Sequence, residues 1–166
     1  ADMAHHRYVP EKELRRLTKL NLRELDFRLS RLGKFGLIER QSGPYTGYVL
    51  YTVGYDCLAI NALVKAGMLE ALGKPLGVGK ESDVYDALTP QGERVAVKFH
   101  RLGRSSFRQT RRVRGYIAQR HHISWLYQSR LAAEKEFEAL NLVHPHGVAV
   151  PKPINQNRHV VVMGMI

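Results

Sequence analysis

Two glycines, Gly77 and Gly79, stand just before the run Ser82-Asp83-Val84-Tyr85, and Lys98 closes the run Val95-Ala96-Val97. Glycines at a strand mouth let backbone N–H groups approach a phosphate that side chains would hold away. A lysine on the next strand would supply the countercharge. Each feature also has an ordinary reading, since glycine pairs fill turns and a lysine ending a strand is normally solvated. The flanks of Lys98 are Val95, Val97 and Phe99, however, and a cation on a buried strand is costly unless it meets an anion. Two glutamates of a later helical stretch compete for that role, Glu134 and Glu136. At 100° per residue, Leu140, Ala133, Leu126 and Phe137 lie about 40°, 60°, 80° and 100° from Glu136, whereas Glu134 lies about 160° away. Glu136 borders the apolar stripe and is the expected partner of Lys98.

The spacing Gly-x-Gly-x-x-Ser-x-Val fits a glycine-rich loop in which serine replaces the third glycine. A P-loop needs four residues between its glycines and a Lys-Ser or Lys-Thr ending, and is excluded.

The elements that must position these residues follow from period and punctuation. Pro10 with Glu11 and Glu13 reads as a helix start running to about Leu17. Asn21 caps a second helix, in which Leu22, Leu25, Leu29 and Leu32 form a stripe opposite Arg23, Arg31 and Lys34; Gly33 and Gly36 end it. Residues 37–41 and 48–53 alternate like strands around a Ser-Gly-Pro-Tyr-Thr-Gly turn, and a helix follows from about Tyr55 to Ala66. Helix, helix, hairpin, helix is the order of a winged helix-turn-helix, and equally of a small helical domain that binds nothing. From Gly73 the character changes to three short antiparallel strands, the last at 94–99. A helix spans Ser124 to about Val143, and residues 148–154 and 159–163 read as strands, with Pro151 and Pro153 confining the former to an edge. The expected fold class is α+β, with a boundary between residues 72 and 73.

Composition sets the outer limits. The chain has 166 residues, with 26 Lys and Arg against 15 Asp and Glu for a formal net charge of +11, and one cysteine. Residues 94–133 hold ten of the basic side chains and no acid, so the surplus is local. A single cysteine excludes an internal disulfide framework and favours a reducing, cytoplasmic setting. No stretch approaches the roughly 20 apolar residues of a bilayer crossing, and no leader precedes a cleavage site. We expect a soluble protein with no membrane partner.

The segments Gly-Val-Gly-Lys-Glu-Ser-Asp-Val-Tyr (77–85), Val-Lys-Phe-His-Arg-Leu-Gly-Arg-Ser-Ser-Phe-Arg (97–108), Ser-Trp-Leu-Tyr-Gln-Ser-Arg-Leu-Ala-Ala-Glu-Lys-Glu-Phe (124–137), Val-Pro-Lys-Pro and Asn-Arg-His-Val-Val-Val-Met resemble the N-terminal lobe of RIO-family atypical protein kinases. A winged helix ahead of that lobe points to the branch written Rio-two. The resemblance spans about Val9 to Ile166. It implies ATP and magnesium as cofactors, serine phosphorylation or ATP hydrolysis as the activity, and late maturation of the small ribosomal subunit as the setting, with its precursor RNA and proteins as partners. By motif, Gly77, Val78, Gly79, Lys80, Glu81 and Ser82 resemble the phosphate-binding loop. Val84 and Ala96 resemble the roof over adenine, and Lys98 and Glu136 the ion pair. Met163 resembles the residue before the hinge, with the backbones of Gly164 and Ile166 on adenine. Residues 100–122 resemble a flexible loop, with Ser105 and Ser106 as candidate phosphorylation sites. Family members usually carry glutamate where Gly164 stands, and an acid-then-tyrosine pair where Gly115-Tyr116 stands. The His-Gly-Asp catalytic loop and the Asp-Phe-Pro metal loop do not occur in these 166 residues. The expectation is an N-terminal fragment, inactive alone. A runner-up reading is an RNA-binding assembly factor whose nucleotide site acts as a switch.

Nucleic-acid contact falls on two basic features. Arg23, Arg31 and Lys34 line one helix face, diluted by Glu24 and Asp26, so a solvated face remains open. Arg101, Arg104, Arg108, Arg111, Arg112, Arg114 and Arg120 crowd a segment expected to be mobile, of which Arg108, Arg111, Arg112 and Arg114 are the main candidates for salt-dependent phosphate contact. The adjacent pairs His5-His6 and His121-His122 cannot share a helix face, so no metal site is expected. Cys57 is expected in the core, and Trp125 to anchor its helix.

Overall fold

Asn21 starts the first long helix as its type suggests: its side-chain oxygen accepts from the Glu24 amide at 2.9 Å. A computed structural model describes residues 8–103 and 125–166. The chain divides into two compact units, residues 1–57 and 58–166, each described by itself.

In the first unit, α1 (Glu11–Thr18) and α2 (Leu22–Lys34) precede β2 (Ile38–Gln41) and β3 (Gly47–Leu50). A two-residue strand, β1 (Val9–Pro10), completes an antiparallel sheet of order β1-β3-β2. Arg40 stands opposite Tyr48 in the hairpin. Two helices and a three-stranded sheet in this order make a winged helix-turn-helix. Its core joins Leu25 and Leu29 to Ile38 and Tyr48, with Leu14, Leu20 and Leu50 at the margin. The expected four-leucine stripe is only half buried: Leu22 and Leu32 stay exposed, because this small sheet covers only the middle of α2.

Helix α3 (Thr52–Lys65) carries Ala59 and Leu63, four residues apart and fully buried in the core of the second unit. Cys57 lies about 160° around the helix from Ala59 and is exposed, which corrects its expected place in the core. The division between units thus falls inside α3, ahead of the boundary expected after residue 72.

The second unit is a five-stranded antiparallel sheet of β4 (Ala71–Val78), β5 (Ser82–Leu88), β6 (Arg94–His100), β7 (Pro153–Asn157) and β8 (Val160–Gly164), in the order β4-β5-β6-β8-β7. β6 is central and alternates strictly. Val95, Val97 and Phe99 face the core with Ala59, Leu63 and Leu69. Ala96 faces the other way, into a cluster with Ala133 and Leu140 of α4 (Trp125–Val143). Period-two geometry puts Lys98 and His100 on that same face. β7 is an edge strand as expected but starts at Pro153, five residues later than the run from Val148 suggested. Pro151 and Pro153 lack the N–H that a ladder needs, and Val150 instead closes a tight turn onto Val148.

The start of α4 is anchored by Trp125, as expected. Gly103 has φ +90, and a Cβ there would land inside the Trp125 ring, so the backbone passes directly beneath the indole. Beside it, Ser129 Oγ accepts from the Leu102 amide at 3.0 Å.

Candidate functional site: a lysine–glutamate pair beneath a glycine hairpin

Gly77 and Val78 end β4, Ser82 opens β5, and residues 79–81 turn between them. The turn is closed by the Gly79 amide donating to the Ser82 carbonyl at 2.8 Å, and the Arg101 amide donates to the Glu81 carbonyl at 2.7 Å. A Cβ at Gly77 would meet nothing within 4 Å, and its φ is not positive. Among the described residues no contact requires glycine there, although the ladder with β5 shifts register between Pro75 and Gly77. A ligand lying against that backbone would require it.

Lys98 stands opposite Val84 on β5 and Val161 on β8. Its Nζ donates to Glu136 Oε1 at 2.7 Å. Glu134 instead accepts from Arg130 Nε at 2.7 Å on the outer side of α4. The geometric choice of Glu136 over Glu134 is the pairing seen. Lys98 and Glu136 line a cleft of about 280 Å³ together with Glu81, Ser82, His100 and Lys135.

Glu136 has a second partner that the sequence reading missed. His100 Nε2 lies 2.8 Å from Glu136 Oε2, an ion pair whenever the ring is protonated, although the ring N–H does not point straight at the oxygen. Burial pushes the Glu136 carboxyl up, but His100 and the Lys98 ammonium outweigh it and hold it at about 2. The alternation Ala96, Lys98, His100 was the available signal. Grouping His100 with the flexible loop obscured it, and the structure corrects that grouping: His100 is the buried last residue of β6.

Arg101 is likewise no part of a solvated segment. Its Nε donates to Asp83 Oδ2 at 2.9 Å, both side chains are buried, and Nη1 lies 3.3 Å from His159 Nε2. The guanidinium also covers the Phe99 ring at 5.0 Å from its centroid.

The remaining candidates fall in three places. Ala96 and Met163 are paired neighbours on β6 and β8, buried in the cluster against α4 with Val84 at its edge. The Gly164 amide donates to the Lys152 carbonyl at 2.8 Å, and a Cβ at Gly164 would make only ordinary contact with Lys152. Ile166, Val78 and Lys80 are exposed. Arg23, Arg31 and Lys34 lie exposed on α2. Ser105, Ser106, Arg108, Arg111, Arg112, Arg114, Gly115-Tyr116 and all four paired histidines lie outside the described residues. Among the described residues no group of three or more His, Cys, Asp or Glu is placed to hold a metal ion, and no helix is long and apolar enough to cross a membrane.

The Rio2 N-terminal family model matches residues 1–66, and the RIO domain model matches residues 83–166. The chain is 50% identical over 164 residues to the RIO-type serine/threonine-protein kinase Rio2 of Methanocaldococcus jannaschii, covering 99% of this chain and 59% of that protein. The chain belongs to the RIO family. Its winged helix places it with the Rio2 members. Against the serine/threonine-protein kinase rio2 of Schizosaccharomyces pombe it is 41% identical, covering 98% of this chain and 47% of that one. A crystal structure of the Rio2 kinase from Chaetomium thermophilum superposes with a TM-score of 0.81 at 36% identity, covering 99% of this chain and 47% of that one. A second structure of that kinase is an ADP/Mg2+-phosphoaspartate complex, with the same TM-score and identity and 96% of this chain covered. This chain therefore spans about half the length of the Rio2 relatives it matches.

Proposed function

We propose that this chain is the N-terminal part of an ATP-dependent serine/threonine protein kinase or ATPase that acts in maturation of the small ribosomal subunit. The observation that carries the nucleotide part is the Lys98–Glu136 pair at 2.7 Å beneath a glycine hairpin whose Gly77 has open space where a side chain would be. In this reading Gly77, Val78, Gly79, Lys80, Glu81 and Ser82 cradle the phosphates of ATP, and Lys98, oriented by Glu136, neutralises them. Val84 and Ala96 cover adenine, with Met163, Gly164 and Ile166 at its edge. The nucleotide supplies the transferable phosphoryl group, and positioning and charge neutralisation are what the chain contributes. Magnesium belongs to the same reading, its ligands lying outside this chain. An ADP-bound relative supports it.

The ribosomal part rests on family membership and charge. Residues 1–72 would act as an RNA-contacting domain through Arg23, Arg31 and Lys34, and 73–166 as the nucleotide lobe, in a cytoplasmic setting. The basic window with Arg108, Arg111, Arg112 and Arg114 would meet further RNA phosphates, and Ser105 and Ser106 would be its phosphorylation sites.

Titration of a fluorescent ADP analogue into the chain tests the nucleotide assignment. Saturable binding competed by ATP and weakened roughly tenfold by Lys98→Ala, the loss of about one charge-assisted hydrogen bond, is expected. Equal binding by the variant would remove Lys98 from the site.

A further inference from the structure

We propose that the outer face of α2 stacks the bases of single-stranded nucleic acid, with Phe27 and Phe35 as platforms and Arg31 between them. The proposal rests on the reading that this unit contacts RNA, and specifies which form of RNA and through which side chains. Phe27 lies about 180° around the helix from the midpoint of Leu25 and Leu29, so it cannot join the core while those two leucines occupy it. It is 57% exposed, and Phe35, which follows the last residue of α2, is 65% exposed. The Arg31 guanidinium bridges them, 5.6 Å from the Phe27 centroid and 5.9 Å from that of Phe35.

The charge around these rings selects the occupant. Arg23, Lys34 and Arg31 lie within about 40° of Phe27 around the helix. The nearby acid, Glu24, is already engaged by Arg28 Nε at 2.6 Å, and Asp26 is turned about 100° away. A second copy of this surface would bring three cations against three. A duplex offers phosphates but hides its base faces, leaving the two rings in water. An unstacked strand supplies both: phosphates for the cations, and π-faces for the phenylalanines and the guanidinium.

Binding of a short single-stranded RNA carrying 2-aminopurine, with a duplex of the same length as reference, tests this. The base fluorescence should be quenched on binding to the chain. Phe27→Leu, a change at an exposed position, should weaken single-strand binding about tenfold and reduce the quench, while duplex binding and the salt slope stay as they were. Arg23→Ser with Lys34→Ser should flatten the salt slope for both forms. Unchanged single-strand affinity in Phe27→Leu, or an equal loss for single strand and duplex, overturns the stacking proposal while the RNA reading stands on the salt slope. Absence of any salt-dependent RNA binding by the wild-type chain overturns both. Sedimentation showing a dimer that Phe27→Leu dissolves would assign the face to a second copy instead.

Discussion

Lys98 and Glu136, 38 positions apart in sequence, meet at 2.7 Å because β6 and α4 pack face to face around Ala96, Ala133 and Leu140. Packing fixes the distance, and the Lys98 ammonium with the His100 ring fixes the charge. The carboxylate is therefore held ionised in a partly buried place where burial alone would favour its neutral form.

This has a pH signature. A carboxyl whose folded pKa is depressed adds stability above its unfolded value and loses it as pH falls through its folded value. For Glu136 that window runs from its ordinary 4.5 down to about 2. Over it the wild-type chain should lose about 1–2 kcal/mol more than Glu136→Gln, after allowance for screening at a carboxylate partly open to water. Urea unfolding at several acidic pH values measures this, and parallel curves for the two proteins would contradict it.

Lys98 should carry part of that depression. In Lys98→Ala the Glu136 carboxyl keeps His100 but loses the ammonium, so its titration should move up toward 4.5. Carbon-detected NMR of the Glu136 side chain reads it directly. An unmoved midpoint would mean that His100 alone holds the charge.

A buried pair elsewhere should be costlier to break than the pair at the site. Arg101→Ala takes the guanidinium away from the buried Asp83 carboxylate, and breaking a buried pair from one side costs about 3–5 kcal/mol. Arg101→Lys should recover little of it, because a point charge cannot span Asp83 and His159 together. Denaturation midpoints check both variants, and a loss under about 1 kcal/mol for Arg101→Ala would show the pair to be replaceable.

Two glycines should behave oppositely. Gly103→Ala has to open both a positive φ and the Trp125 contact, at a cost of about 2 kcal/mol or more. Gly77→Ala meets open space and should change stability by no more than about 0.5 kcal/mol, while weakening nucleotide binding. A destabilised Gly77→Ala would mean that the fold, and no ligand, demands that glycine.

Much of this arrangement was legible in the residues. Asn21, the wing turn and the apolar run of 94–99 announce their elements, and helical angle alone chooses Glu136 over Glu134. Three things were not legible. Arg101 is chemically like its arginine neighbours, and only the register that sets Asp83 opposite Phe99 brings the two charges together. His100 was hidden by the same grouping. Cys57 and the outer leucines of α2 depend on how much of a helix its partner sheet covers, which periodicity does not report. Pro151 and Pro153 did mark an edge strand, but where it begins depends on which N–H groups face β8.

The central claim is that the cleft beneath the 77–82 hairpin holds ATP, and amide chemical-shift mapping on the 166-residue chain tests it most directly. On addition of ATP, the amides of Gly77 to Ser82, Ala96, Lys98 and Ile166 should shift together and saturably, with those of α2 unmoved. No shift at millimolar nucleotide, or shifts confined to residues away from the hairpin and β6, would contradict the account.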